Sequence, residues 1–155
     1  MKKNLSGFTL IELIVVIAIL GILSALALPR FAALQTDARM AKMNGALGSL
    51  KAAAVLAHSI QLTQNLTPAS SVTMEGSVIT MANGYPNSTL ASIGHAAGFA
   101  TVAGVALPDY TLASTATVFT VTPDATHAAC TVTYTVPGVG GAPTYSNAGV
   151  TVANC

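Results

Sequence analysis

Charge is what this sequence lacks most. Only 7% of its 155 residues are charged, six basic and five acidic, for a formal net charge of +1. Ordinary domains carry about 25%. Such a chain has no basic surface to hold a phosphate backbone, which speaks against a dedicated nucleic-acid-binding domain. It also has too few ionisable groups for most acid–base active sites. Trp is absent and aromatic residues make up 5%, so no stacking platform for bases or sugars is expected. What is abundant is apolar or small. At 52% apolar residues the chain is not disordered. Its length suits one globular domain, or one domain with an appended segment. The composition is that of a structural, extracytoplasmic protein.

One stretch is nearly free of charge. Met1-Lys2-Lys3-Asn4-Leu5-Ser6-Gly7 is a short, basic, polar leader, and Glu12 is the only charged residue from Phe8 to Leu28. As a helix this stretch rises about 31 Å, close to the thickness of a bilayer hydrocarbon core. In lipid its backbone must bond internally, so it must be helical. Lys2 and Lys3 place the N-terminus on the cytoplasmic side and the remainder outside. A secretory signal has the same layout, and Ser24-Ala25-Leu26-Ala27 loosely fits a cleavage site. Composition leaves a cleaved signal and a retained anchor both open. Glu12 bears on the choice. A carboxylate within a span costs roughly 2.5–3.5 kcal/mol on insertion scales, and no Lys or Arg lies nearby within the segment. Either Glu12 sits near the membrane surface and stays wet, or it meets a positive partner from elsewhere.

The run Gly7-Phe8-Thr9-Leu10-Ile11-Glu12-Leu13 resembles the processing site of type IV prepilins. The likeness continues through Val15-Val16-Ile17-Ala18-Ile19-Leu20-Gly21-Ile22-Leu23 to Pro29. The resemblance implies that a membrane aspartyl prepilin peptidase cuts after Gly7. Phe8 then becomes the mature N-terminus and is N-methylated, and the apolar segment is kept. It also supplies the missing partner. Cleavage creates an α-amino cation at Phe8, with an unperturbed pKa near 8, and the Glu12 carboxylate meets that amine on a neighbouring subunit. Two charges too costly to bury alone can be buried together, and the pairing fixes register more than it adds stability. Gly21 and Pro29 are helix breakers, costing about 1 and about 3 kcal/mol against Ala. They mark either a tolerated kink or, as the resemblance suggests, a stretch that loses helix when subunits pack.

The expected fold is α+β: a long N-terminal helix packed on a small antiparallel sheet, with a C-terminal disulfide loop. Residues 1–7 are the cleaved leader. Residues 8–60 form the helix, with a transmembrane segment at 8–28. Residues 61–155 form a globular antiparallel β domain on the helix's C-terminal half. Met40, Met43, Leu47, Leu50, Ala54 and Ala57 recur at spacings of three and four, which marks one buried helix face. Arg39, Lys42, Lys51 and His58 lie off that stripe, and Asn65 to Ser71 reads as a loop around Pro68. Val72–Met74 and Val78–Met81 flank a possible Glu75-Gly76 turn, and Asn83-Gly84-Tyr85-Pro86 is a turn cluster. Ser88 is placed to cap a short helix over Thr89–Ala96. Ala116–Thr122 and Cys130–Val136 read most strongly as strands, the second alternating cleanly. Pro137–Gly141 breaks the sheet, and Gly149–Val152 suggests a last short strand.

Cys130 and Cys155 are the only cysteines. In an exported domain they most simply form one disulfide. Two free thiols or a shared metal are the alternatives, and a metal would want His or carboxylate partners at short spacing. The resemblance agrees with the disulfide, since type IV pilins often carry such a loop on an antiparallel sheet. The segments Val72–Gly76, Asn83–Asn87 and Cys130–Tyr134 further resemble pilins of the mannose-sensitive haemagglutinin type. His58, His95 and His127 are widely separated and read as ordinary side chains. Asn65-Leu66-Thr67 and Asn87-Ser88-Thr89 match the glycosylation sequon.

The function expected is that of a structural pilin subunit polymerising into a type IV pilus, for adhesion, motility or attachment. The alternative is a type II secretion pseudopilin or a minor pilin. The paired cysteines favour the pilin. No catalytic residue, cofactor or metal is expected. The partners implied are other pilin subunits, the prepilin peptidase, an inner-membrane assembly platform and, before assembly, membrane lipid. The implied location is the inner membrane for the precursor and the extracellular filament afterwards.

Overall fold

The computed structural model describes residues 8–155. They fall into two compact units, one reaching Thr36 and the other spanning Asp37–Cys155. A single helix, α1 (Leu10–Thr63), supplies residues to both.

In the first unit nothing among the described residues packs on α1. Thirteen large aliphatic side chains between Leu10 and Leu28 are each at least 46% exposed. The most apolar window of α1 has a mean hydropathy of 2.8, with none of it buried. Removing these side chains from water is worth on the order of 10–20 kcal/mol. By length and composition α1 is able to cross a membrane. Gly21 and Pro29, the expected weak points, lie within α1, which is helical through both in the single chain; whether that stretch loses helix when subunits pack is a property of the filament. Proline removes one backbone donor, and glycine weakens one position. The bonds on either side carry the helix past each.

The ends of α1 are set by local chemistry. The helix starts at Leu10 because Thr9 caps it. It runs to Thr63, past the expected Ile60, and closes where Asn65 adopts a left-handed φ of 51°. The Leu66 amide donates to the Gln61 carbonyl and the Asn65 amide to that of Leu62. Together these bonds make a Schellman stop.

In the second unit α1 buries Met43, Ala46, Leu50, Ala53, Ala54 and Ala57. Met40 and Leu47, from the same predicted stripe, pack at its margin. Two hairpins follow. Strands β1 (Val72–Met74) and β2 (Ser77–Ile79) pair around Glu75-Gly76, and β3 (Met81–Ala82) pairs with β4 (Tyr85–Pro86) around Asn83-Gly84. All four turn residues have positive φ, the backbone of a two-residue hairpin turn whose twist matches its strands. The main sheet is antiparallel in the order β5 (Thr111–Ser114), β6 (Val118–Thr122), β7 (Val132–Thr135), β8 (Thr144–Ser146). Phe119 pairs with Tyr134 and Val121 with Val132. These four side chains are fully buried and share one core with Met43, Leu50 and Ala54.

The expected short helix over Thr89–Ala96 is present: Leu90–Gly94 forms a π-helical turn with Thr89 at its start, and His95–Ala96 continue it as α-helix. Three other local expectations are corrected. Ser88 does not cap that helix, because its hydroxyl donates to the Thr115 carbonyl at 2.7 Å. Gly149–Val152 is not a strand. Its backbone bonds locally, Val150 to Asn147 and Thr151 to Gly149, while the strand that pairs with β7 is β8. Pro137–Gly141 therefore does not end the sheet; it lies in the connection that brings β8 back against β7.

Candidate functional site

The residues singled out from the sequence fall into two groups, one in each unit. At the N-terminal end, Gly7 lies outside the described residues. Phe8 is 87% exposed. Thr9 and Glu12 form a reciprocal pair. The Glu12 carboxylate oxygen Oε2 accepts from the Thr9 amide at 2.9 Å and from the Thr9 hydroxyl at 2.6 Å. The Thr9 Oγ1 in turn accepts from the Glu12 amide at 3.3 Å. This is a capping box, with Thr9 at the cap and Glu12 three residues on. It satisfies helix-start amides that otherwise lack partners, and it places a negative charge where the helix dipole favours one.

This local partner was missed in the sequence reading, which looked only for a cation. The signal was present as Thr9-Leu10-Ile11-Glu12 just ahead of an apolar run. The capping box uses only one carboxylate oxygen. Among the described residues Oε1 accepts from no group. The carboxylate is thus held in place at the start of an exposed apolar helix, with one oxygen still able to accept from a cation.

At the other end of the chain, Cys130 and Cys155 form a disulfide with Cα atoms 5.0 Å apart. Both residues are buried in the main core. The bridge joins the chain just ahead of β7 to the tail. Arg39, on α1, supports the same junction. Its guanidinium donates to the Cys155 carbonyl at 3.0 Å and lies 3.7 Å from the Asp124 carboxylate. The Thr126 hydroxyl and then His127, both donating to Asp124, hold that carboxyl well below the usual range. Lys42 makes a parallel tie from the next turn of α1. It donates to the carbonyls of Asp109 and Pro123 and sits 4.3 Å from the Tyr110 ring centre. Arg39 and Lys42, read as off the core stripe, are thus clamps between α1 and the sheet's connections.

Comparison with known proteins bears on the N-terminal group. Residues 2–28 match the prokaryotic N-terminal methylation motif. That motif takes in Gly7, Phe8 and Glu12. Over 100 residues it is 39% identical to fimbrial protein Q of Moraxella bovis, covering 63% of this chain and 64% of that one. It is 50% identical over 54 residues to fimbrial protein EcpB of Eikenella corrodens, 34% of each chain. It is 45% identical over 51 residues to the type IV narrow pilus major component PilA5 of Thermus thermophilus, covering 33% of this chain and 44% of that one. The matches span less than two-thirds of each relative's length. No solved structure matches the chain. The methylation motif, the apolar helix and the disulfide-closed α+β unit together fit the pilin fold.

Proposed function

We propose that the chain is a structural subunit of a type IV pilus, made as a membrane-anchored precursor and polymerised into an extracellular filament. The observation that carries this reading is the N-terminal methylation motif on a helix whose most apolar window has no buried residue. That helix needs an apolar environment at two stages. Lipid provides it before assembly, and the helices of neighbouring subunits provide it afterwards.

In this reading the prepilin peptidase cleaves after Gly7, and the new Phe8 amine is methylated. The amine needs an anion once it leaves the membrane surface, since a lone buried charge costs several kcal/mol. Glu12 supplies one. Its Oε2 stays with Thr9 while Oε1 accepts from the Phe8 amine of the next subunit. The capping box adds a reason for the position: the carboxylate is already oriented, so less side-chain entropy is lost on pairing. The Asp37–Cys155 unit, with its own core, faces outward and forms the filament surface. Its role is structural, and the relatives are named as fimbrial and pilus proteins.

Glu12→Gln and Thr9→Ala separate the two roles of the site. Glu12→Gln keeps an acceptor for Thr9 but removes the charge. It is expected to leave membrane insertion intact and to cut filament yield at least tenfold. Thr9→Ala removes the cap, worth about 1 kcal/mol, and leaves the charge, so filaments persist. Wild-type yields of sheared filaments from the Glu12→Gln strain would contradict the proposal.

A further inference from the structure

Hairpins β1–β2 and β3–β4 make the same kind of turn with different residues. The second uses Asn83-Gly84, at φ 53° and 91°, and the first uses Glu75-Gly76, at φ 47° and 77°. Asparagine enters the left-handed region readily, because its short polar side chain bonds locally. Glutamate has no such compensation, so Glu75 holds this backbone at a cost that Asn would avoid. The turn alone does not call for this residue. Glu75 also belongs to the wall of a cavity of about 240 Å³ in the second unit. Leu56 and Ile60 of α1, Met74 of β1 and Ala96 supply the aliphatic part of that wall. His95 lines it too, with its Nδ1 donating to the Ala100 carbonyl at 3.0 Å.

Nothing in this part of the chain answers the Glu75 charge. No Lys or Arg occurs from Ala52 to Cys155. Lys51, the last cation before that stretch, lies 5.6 Å from the Tyr145 ring centre, beside β8. Asp124 has Arg39 and His127 against it, and the Asp109 carbonyl accepts from Lys42. Glu75 makes no ion pair among the described residues. A metal ion is a poor answer to it. A hard cation such as calcium wants about six or more oxygen ligands, and no three His, Cys, Asp or Glu side chains gather among the described residues. The cavity thus offers one carboxylate without a counter-charge at the edge of an aliphatic surface.

We propose that this cavity binds a small primary alkylammonium, with its charge at Glu75 and its carbon chain along Leu56, Ile60, Met74 and Ala96. The ammonium supplies the counter-charge that the wall lacks. Because Glu75 is exposed, the ammonium keeps part of its hydration there and avoids the cost of a fully buried ion. The chain covers aliphatic surface in the way a lysine stem does below its charged head. The volume falls short of the range of about 300–1,000 Å³ usual for drug-sized ligands, which suits a chain of a few carbons. The site lies within one subunit, and its occupancy does not depend on polymerisation.

The test is NMR of the full chain in neutral detergent, labelled at its methionine methyl groups. Met74 lines the cavity, while Met40 and Met43 belong to the other core cluster and serve as references; Met74→Leu assigns the reporting signal. Butylammonium is titrated at constant ionic strength near pH 8, where an alkylamine is charged and an ordinary histidine is neutral. A saturable shift of the Met74 methyl is expected, with a Kd of about 1–10 mM and with Met40 and Met43 unmoved. Butanol, the same chain without the charge, should bind about fivefold more weakly. Glu75→Asn suits the turn, so its Tm should hold or rise while its affinity for butylammonium falls about fivefold. Glu75→Gln should lose as much, and it decides if Asn alters the hairpin. Leu56→Trp, from a helix position that is 53% exposed, fills the cavity mouth and should abolish the shift. No saturable Met74 shift, butanol binding as tightly as butylammonium, or full affinity in both Glu75 variants would overturn the proposal. So would a Met74 shift that grows with protein concentration in the absence of amine, because a second copy would then fill the cavity.

Discussion

Replacing both cysteines by serine should cost the Asp37–Cys155 unit about 3.5 kcal/mol, the chain-entropy value for a loop of this length. The bridge spans 25 positions, and little else would restrain the tail after β8. Between Asn147 and Cys155 most hydrogen bonds are local, such as Cys155 to Thr151 and Asn154 to Gly149. Two reach α1: Arg39 to the Cys155 carbonyl at 3.0 Å, and Asn147 to Asn44 at 3.4 Å on an exposed surface. The first depends on Cys155 staying where the disulfide holds it. For a unit of about 120 residues, 3.5 kcal/mol corresponds to a drop of about 14 °C in Tm. Thermal melts followed by circular dichroism on the full chain in detergent would read it, comparing oxidised, reduced and doubly substituted protein. A drop below about 4 °C, or roughly 1 kcal/mol, would refute the reasoning. It would mean that the tail's own packing and the Arg39 bond hold it without the bridge.

Other expectations follow from particular contacts. Tyr134→Phe should destabilise by about 1–3 kcal/mol, because the fully buried hydroxyl donates to the Pro86 carbonyl at 2.6 Å and ties β7 to β4; an unchanged denaturant midpoint would contradict this. Gly149→Ala should cost about 1–3 kcal/mol, since a Cβ there would lie 2.6 Å from the Ala129 carbonyl and 2.8 Å from the Thr131 amide. That cost should shrink in the cysteine-free background, where the tail is already loose. Asp124 has its folded pKa lowered by Thr126 and His127. Its contribution is therefore present above the unfolded value near 4 and is lost as pH falls through the depressed one. The Tm gap between wild type and Asp124→Asn should narrow below about pH 4, and a gap that widens there would reverse the sign of the argument.

Much of the fold was legible because periodicity survives tertiary packing. The α1 stripe from Met43 to Ala57 and the alternation through Val132 and Tyr134 mark one buried face each. What was missed has physical reasons. Strands β5 and β8 are short and mostly exposed, with burial patterns that carry no alternating apolar signal. Val150 and Val152 looked like a strand, but Gly149 lies so close to the chain at Ala129 and Thr131 that the tail turns there. At the candidate site, attention to the energetic cost of Glu12 hid its nearest partner, Thr9. The burial of Gln61 was invisible in sequence, since its side-chain amide is satisfied by the carbonyls of Thr67 and Ser70, six and nine residues away.

The central claim is that this chain is processed at Gly7 and exported into a filament with its apolar helix retained. Intact mass and N-terminal sequencing of protein sheared from the cell surface test it most directly. The account predicts a chain starting at Phe8, about 14 Da heavy for one methyl group and about 2 Da light for the Cys130–Cys155 bridge. A chain starting near Pro29, or recovered only from a soluble periplasmic fraction, would contradict it, because the helix proposed to build the filament would have been removed.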